Sequence, residues 1–253
     1  MSTAARWRVG LVVALLVVLE VASRAAWINP VSFIPPSKMI ASAWDLLVSG
    51  QYANDIALTL SSALCAVALA VVAGFAGGVL LFRLPRVRRV LDPLLLSYYA
   101  VPVFVLYPIL IVILGLNRWP LVAIGFLFAV VAMAVNTLNG LERVPRVLLR
   151  TARVCRLRTL DEIRLITLPA SLPFVFTGIK LTVVYAFIAV VAGEFVLSGS
   201  GFGYQIAFAY NNFDNPTMYG LMVLMLVFVG TVNALLRAAE ARLYRRIRRE
   251  GAA

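Results

Sequence analysis

The chain has 253 residues, 62% of them hydrophobic, with a mean hydropathy of +0.96 and a net charge of +12. Soluble domains hold about 45–50% apolar residues, so this composition excludes an ordinary water-soluble fold and points to repeated passage through a bilayer. With no histidine, imidazole ligands and bases are excluded, and Cys65 and Cys155 lack CxxC spacing, which leaves neither a disulfide framework nor a thiolate metal site.

A spanning helix needs roughly 20 mostly apolar residues, and six stretches meet that need. The first covers residues 9–26, with Glu20 and Arg24 interrupting its outer half. Arg6 and Arg8, the apolar run from Val9 to Leu19 and the small residues from Ala22 to Ala26 also fit a cleavable signal peptide, which would leave five spans. The segment PPSKMIASAWDLLVSG (35–50) then reads as a short surface helix capped by Ser37 and ended by Gly50. Its Ile40, Ala43, Trp44, Leu47 and Val48 share one face, suited to the outer headgroups, where Trp27 and Trp44 also belong.

The second span, 56–82, carries Ser62, Ala66, Ala70, Gly74 and Gly78 at four-residue spacing, a stripe that lets another helix approach closely. The third, 94–116, holds Pro102 and Pro108 beside Tyr98, Tyr99 and Tyr107. The fourth, 120–138, ends near Asn136 and Asn139, and the fifth, 172–197, contains Lys180, Tyr185 and Glu194. After it, GSGFGY (199–204) lacks the strand and downstream acid of a dinucleotide site. It reads as a tight re-entrant turn, and with AYNNFDNPTMYG as a docking surface for an external protein. The sixth span, 218–236, runs into RAAEARLYRRIRRE, a basic helical extension suited to the membrane surface.

Charge sets the orientation. Of the 23 basic residues, nineteen fall before the first span or in the connections after the second, fourth and sixth; only Arg24, Lys38 and Arg118 lie in the alternate connections. Lys180 remains inside the fifth. This asymmetry places both termini in the cytoplasm and explains the net charge without nucleic acid.

The cytoplasmic loop, about 140–170, includes LRTARVCRLRTLDEIRLITLPASLP (149–173), which is too polar to span. It reads as two short helices, 145–157 and 159–167, closed by Pro169. Their apolar positions are Leu148, Leu149, Ala152 and Leu157, then Leu160, Ile163 and Ile166. No Gly-x-x-x-x-Gly-Lys-Ser/Thr occurs, so no phosphate-cradling loop is present and nucleotide energy would come from another subunit.

This loop resembles that of ABC importer permeases, whose signature is Glu-Ala-Ala, then a Gly, then a hydrophobic-x-Leu-Pro ending. Ile166, Leu168, Pro169, Ala170 and Pro173 match the ending, and Ala152 matches the last Ala. Arg150, Thr151 and Arg156 depart from the Glu, the first Ala and the Gly. The resemblance covers almost the whole chain and is to the nitrate/sulfonate/taurine branch. It is carried by PPSKMIASAWDLLVSG, LDPLLLSYYAVPVFVLYPILIVILGL, NTLNGLERVPRVLLRTAR, LPASLPFVFTGIKL and GEFVLSGSGFGYQI in order.

It implies an all-α polytopic fold of the type I importer (MetI-like) kind: one transmembrane permease domain over 1–253 in the bacterial inner membrane. The implied partners are ABC ATPase subunits, an extracytoplasmic substrate-binding protein, a second permease copy (identical or different) and lipid. The chain itself would be non-catalytic and bind no cofactor, with ATP and Mg used by the ATPase subunits. Arg150, Ala152, Arg153, Arg156, Leu157, Leu160, Leu168 and Pro169 would form the ATPase-coupling element. Tyr98, Tyr99, Tyr185 and Glu194 would line the translocation path. A stand-alone secondary carrier would call for internal inverted repeats and paired intramembrane charge, and a membrane enzyme for a Ser/His or Cys/His set; neither pattern occurs in the sequence.

Overall fold

The computed structural model describes residues 3–25, 27–29 and 33–250, and the side chains of all of these except 3–5, 8, 9, 96, 99, 146, 153, 159, 160 and 243–250. The described residues contain helices and no strand. Helix α1 (Thr3–Arg24) is followed by α2 (Pro36–Ser49), α3 (Ala53–Arg83) and α4 (Pro85–Ser97). Two 3₁₀ turns, Tyr98–Ala100 and Val103–Leu106, lead to α5 (Tyr107–Leu114), α6 (Trp119–Glu142), α7 (Arg146–Val154) and α8 (Thr159–Glu162). A π turn (Ile163–Thr167) enters α9 (Leu168–Leu197), and α10 (Phe202–Asn211) and α11 (Asn215–Glu250) complete the chain.

By length and apolarity, α3, α6, α9 and α11 qualify as membrane spans among the described residues. The third expected span, 94–116, is interrupted. Pro93 lies inside α4, and the backbone turns extended at Val101 (φ −75°, ψ 121°) before Pro102. Each proline removes a helical N–H, and the residue preceding one is pushed toward extended backbone. What remains continuous there is the shorter apolar piece Val103–Leu114. The first segment is one helix of 22 residues, α1, which contains Glu20.

The chain divides into two compact units, each discontinuous in sequence: residues 1–58 with 194–232, and residues 59–193 with 233–253. The second is built on the small-residue stripe of α3. Ser62, Ala66, Ala70, Gly74 and Gly78 are all buried. A Cβ on Gly74 would lie 2.6 Å from the Val130 carbonyl, and one on Gly78 2.6 Å from the Ala134 carbonyl, both on α6. Ala63, Ala66 and Ala70 share a core with Val122 and Ala129 of α6 and Ala186 and Val190 of α9. Where lipid removes the hydrophobic drive between helices, such close backbone contact supplies the packing.

In the first unit, Phe202, Ile206 and Ala209 of α10 pack with Met218 and Leu221 of α11. Helix α2 ends at Gly50 (φ +65°) as expected, yet Ser37 is not its cap. Instead Glu20 of α1 accepts the Ser37 amide (3.0 Å) and hydroxyl (2.7 Å), while Arg24 donates to the same carboxylate at 2.6 Å. A carboxylate at a helix start meets unbonded N–H groups and the positive end of the macrodipole. Ala43 is buried and Leu46 lies against Gly220, while Ile40, Trp44, Leu47 and Val48, of the face expected in the headgroups, are exposed.

Candidate coupling element and path

The hairpin between α6 and α9 begins on a fixed base. Gly140, in the last turns of α6, would place a Cβ 3.1 Å from the Ser171 carbonyl and 2.8 Å from Phe174 Cβ, both on α9. The Arg143 guanidinium lies 5.0 Å over the Phe174 ring, within cation–π range. Val144 is buried, and after Pro145 the chain starts α7.

Helix α7 stops at Val154, three residues short of the expected end. Arg156 adopts φ +51°, and the Leu157 amide donates to the Ala152 carbonyl at 3.0 Å. That six-to-one bond around a left-handed residue is a Schellman cap, a position normally given to glycine. Arginine thus occupies a left-handed backbone position that ordinarily favours glycine. The second helix is corrected as well. Only Thr159–Glu162 is α-helical; the π turn follows, with the Leu168 amide donating to the Ile163 carbonyl, and the chain runs straight into α9. Pro169, expected to close the hairpin, lies in the first turn of α9, directly after the π turn.

The apolar positions sort differently from the expectation. Ala152 is 1% exposed, so it packs inward and is unavailable to a partner. Leu157 is half-buried, and Arg150, Arg156, Leu168 and Pro169 are exposed. The side chains of Arg153 and Leu160 lie outside the described residues. Val147 and Val154, seven positions apart and therefore on one face, stand 70% and 83% exposed beside Arg150 and Thr151, and Leu165 is 67% exposed on the π turn. None of these three is among the apolar positions expected from the sequence; an i, i+7 comparison finds the pair on α7.

Of the expected path residues, Tyr98 and Tyr185 converge on one turn of α6. Tyr98, in the first 3₁₀ turn, donates its hydroxyl to the Leu127 carbonyl at 2.7 Å. The half-buried Tyr185 ring meets Phe128 edge-on at 5.8 Å between centroids, and Phe128 in turn lies 6.5 Å from Phe104 on the interrupted segment. The Tyr99 side chain lies outside the described residues.

Glu194 belongs to the first unit, is 1% exposed, and accepts the Gly203 amide at 3.0 Å at the start of α10. Asp55 accepts the Gly201 amide at 2.9 Å and the Gln205 side chain at 3.0 Å. Two carboxylates therefore hold the GSGFGY turn and the positive end of α10. Burial raises the Tyr52 pKa nearby, with Asp214 and Asp55 adding to the shift. Lys180, expected to snorkel, donates to both Glu240 oxygens of the basic extension of α11, at 2.9 and 2.8 Å. No group of three or more acidic or cysteine side chains suited to a metal occurs among the described residues.

Comparison with known proteins agrees with this architecture. The nitrate import permease NrtB of Leptolyngbya laminosa is 28% identical over 212 residues, covering 80% of this chain and 75% of its own. A probable ABC transporter permease of Brucella melitensis biotype 1 is 29% identical over 208 residues, covering 82% and 85%. Among solved structures, a chain of the MetNI methionine ABC transporter in an inward-facing conformation superposes with a TM-score of 0.65 at 20% identity, over 79% of this chain and 98% of that one. This last match shows the fold, the MetI-type permease architecture expected from the sequence. Residues 66–249 match the family described as binding-protein-dependent transport system inner membrane component, and the chain belongs to that family of importer permeases.

Proposed function

We propose that this permease forms, with a second permease subunit, the path of an ATP-driven importer for a small solute handed over by an extracytoplasmic binding protein. In this reading the hairpin 146–167 is the element gripped by the ATPase subunits, where ATP and Mg act. Both termini lie in the cytoplasm, as the distribution of arginines requires.

The observation that carries the coupling role is the exposed face of α7. Val147 and Val154 stand clear of the fold beside Arg150 and Thr151, on a helix whose opposite side is fixed by Ala152. A polar-rimmed apolar pair on a rigid, capped helix is the form of a contact that transmits force. Arg150 stands where the family carries a carboxylate, so the matching ATPase surface is acidic at that point. Tyr98 and Tyr185, joined through α6, stand at the path. Broken backbone at membrane depth is tolerated only where protein or a water-filled cavity satisfies it, and the break at the turns 98–106 supports a path beside them.

The test is purification of the whole importer carrying Val147→Asp and Val154→Asp together. Placing two carboxylates on this face should release the ATPase subunits, at a cost on the order of 2–4 kcal/mol for a desolvated contact. Retention of the ATPase with normal stimulated hydrolysis would refute the assignment. Because a matched relative is named for nitrate import, nitrate is the first solute to assay for uptake.

A further inference from the structure

One charged cluster stands at the base of the hairpin and plays no part in the contacts described so far. Glu142 is the last residue of α6, four positions before α7 begins. Its two carboxylate oxygens receive the two terminal nitrogens of Arg88 on α4, Nη2 at 3.0 Å and Nη1 on the other oxygen. Asp92, one turn along α4, lies 3.3 Å from Arg88 Nε. A guanidinium held by both nitrogens on one carboxylate is fixed in direction as well as distance. The pair is about one-third exposed on each side, and pairs so placed add little to stability. What it supplies is placement.

A second tie lies further along the same two helices. The Tyr98 hydroxyl on the Leu127 carbonyl joins the end of α4 to the middle of α6. From Arg88 to Tyr98 is about 15 Å of helical rise and from Leu127 to Glu142 about 22 Å, so α4 is tied antiparallel along α6 at two points. Beyond Tyr98 the regular structure stops. Val101 is extended, Pro102 sits at φ −74° and ψ 86°, and Pro102 has no amide to donate. The tied helix therefore ends on a natural hinge.

We infer that Arg88 is a positioning residue that makes α4 follow the base of the hairpin, so that movement of the hairpin reaches the interrupted segment at Val101–Pro102. This rests on the coupling role proposed above. Hairpin and α6 end move as one, Glu142 carries Arg88, and α4 turns the 98–106 backbone. Reversing both charges of the Arg88–Glu142 pair, with Asp92 made neutral so that it does not repel the new carboxylate, preserves the link, whereas reversing one destroys it.

The test uses the complete importer with Cys65→Ala and Cys155→Ser, and a reporter thiol at Val105, which is 69% exposed within the second 3₁₀ turn. The rate of modification of Val105→Cys by a methanethiosulfonate reagent is measured with and without ATP and Mg. With Arg88 present, ATP should change the rate by about three- to tenfold, equivalent to about 0.6–1.4 kcal/mol of coupling. In Arg88→Gln, which removes the charge but keeps a long polar side chain, the change should vanish while ATP hydrolysis continues. In Arg88→Glu with Glu142→Arg and Asp92→Asn it should return. An ATP response kept by Arg88→Gln, or absent with Arg88 in place, overturns the inference, as does failure of the reversed pair when that complex still hydrolyses ATP. Failure of the docking reading shows elsewhere, as ATPase retained by the Val147→Asp, Val154→Asp chain.

Discussion

Replacing Gly201 by alanine tests the turn that precedes α10. Gly201 has φ +102° and ψ 168°, a region that is essentially glycine-only. An added Cβ would lie 2.5 Å from Glu194 Cδ and 2.6 and 2.8 Å from its two oxygens. The backbone term alone costs about 1–3 kcal/mol. Displacing the carboxylate breaks its bond to the Gly203 amide and leaves buried charge short of a donor, a further cost of about 1–3 kcal/mol. Together, about 2–6 kcal/mol is a large part of the 5–15 kcal/mol that holds a typical protein folded. Gly199, two residues earlier, has nothing within 4 Å of its Cβ position and no positive φ, so Gly199→Ala is the matched control and should change stability by less than about 0.5 kcal/mol. The assay is thermal unfolding of the purified permease together with hydrogen exchange of the 202–211 amides, which should accelerate in Gly201→Ala alone. Removing the obstructing carboxylate with Glu194→Ala in the Gly201→Ala background should make the two losses less than additive, because the clash is then counted once. Equal behaviour of Gly201→Ala and Gly199→Ala would refute the reasoning.

Arg156→Gly should stabilise the cap of α7, since a left-handed residue with a Cβ carries a cost of roughly 1–2 kcal/mol, offset in part by the greater unfolded freedom of glycine. A net gain on the order of 0.5–1 kcal/mol would slow exchange of the Leu157 amide about two- to fivefold, whereas Arg156→Ala, which keeps the Cβ, would not. Lys180→Met leaves Glu240 without its partner and should cost on the order of 1–2 kcal/mol in thermal stability, between exposed and buried pairs. Adding Glu240→Leu should recover most of it, and a double variant no better than Lys180→Met would show that the pair is not the source of the loss.

The sequence determined what depends on composition and on spacing along one helix. Apolar length marked α3, α6, α9 and α11, because a bilayer demands about 20 apolar residues of any span. The four-residue stripe from Ser62 to Gly78 marked the face that packs, because small residues alone permit backbone contact. The Leu168-Pro169 ending and the surrounding arginines marked the hairpin, whose left-handed residue at Arg156 is held by the helix cap rather than by a glycine.

What the sequence could not give were partners distant along the chain. Glu20 reads as an interruption of a span until Ser37 comes beside it; Glu194 shows no donor until α10 turns its N-terminus onto it; Lys180 reads as a stray charge until Glu240 meets it sixty residues later. Arg88 and Glu142 gave no local sign at all. A charge inside or beside a membrane must find its counter-charge or donor somewhere, and only the tertiary fold decides where, since the pairing depends on which helices lie together and at what depth.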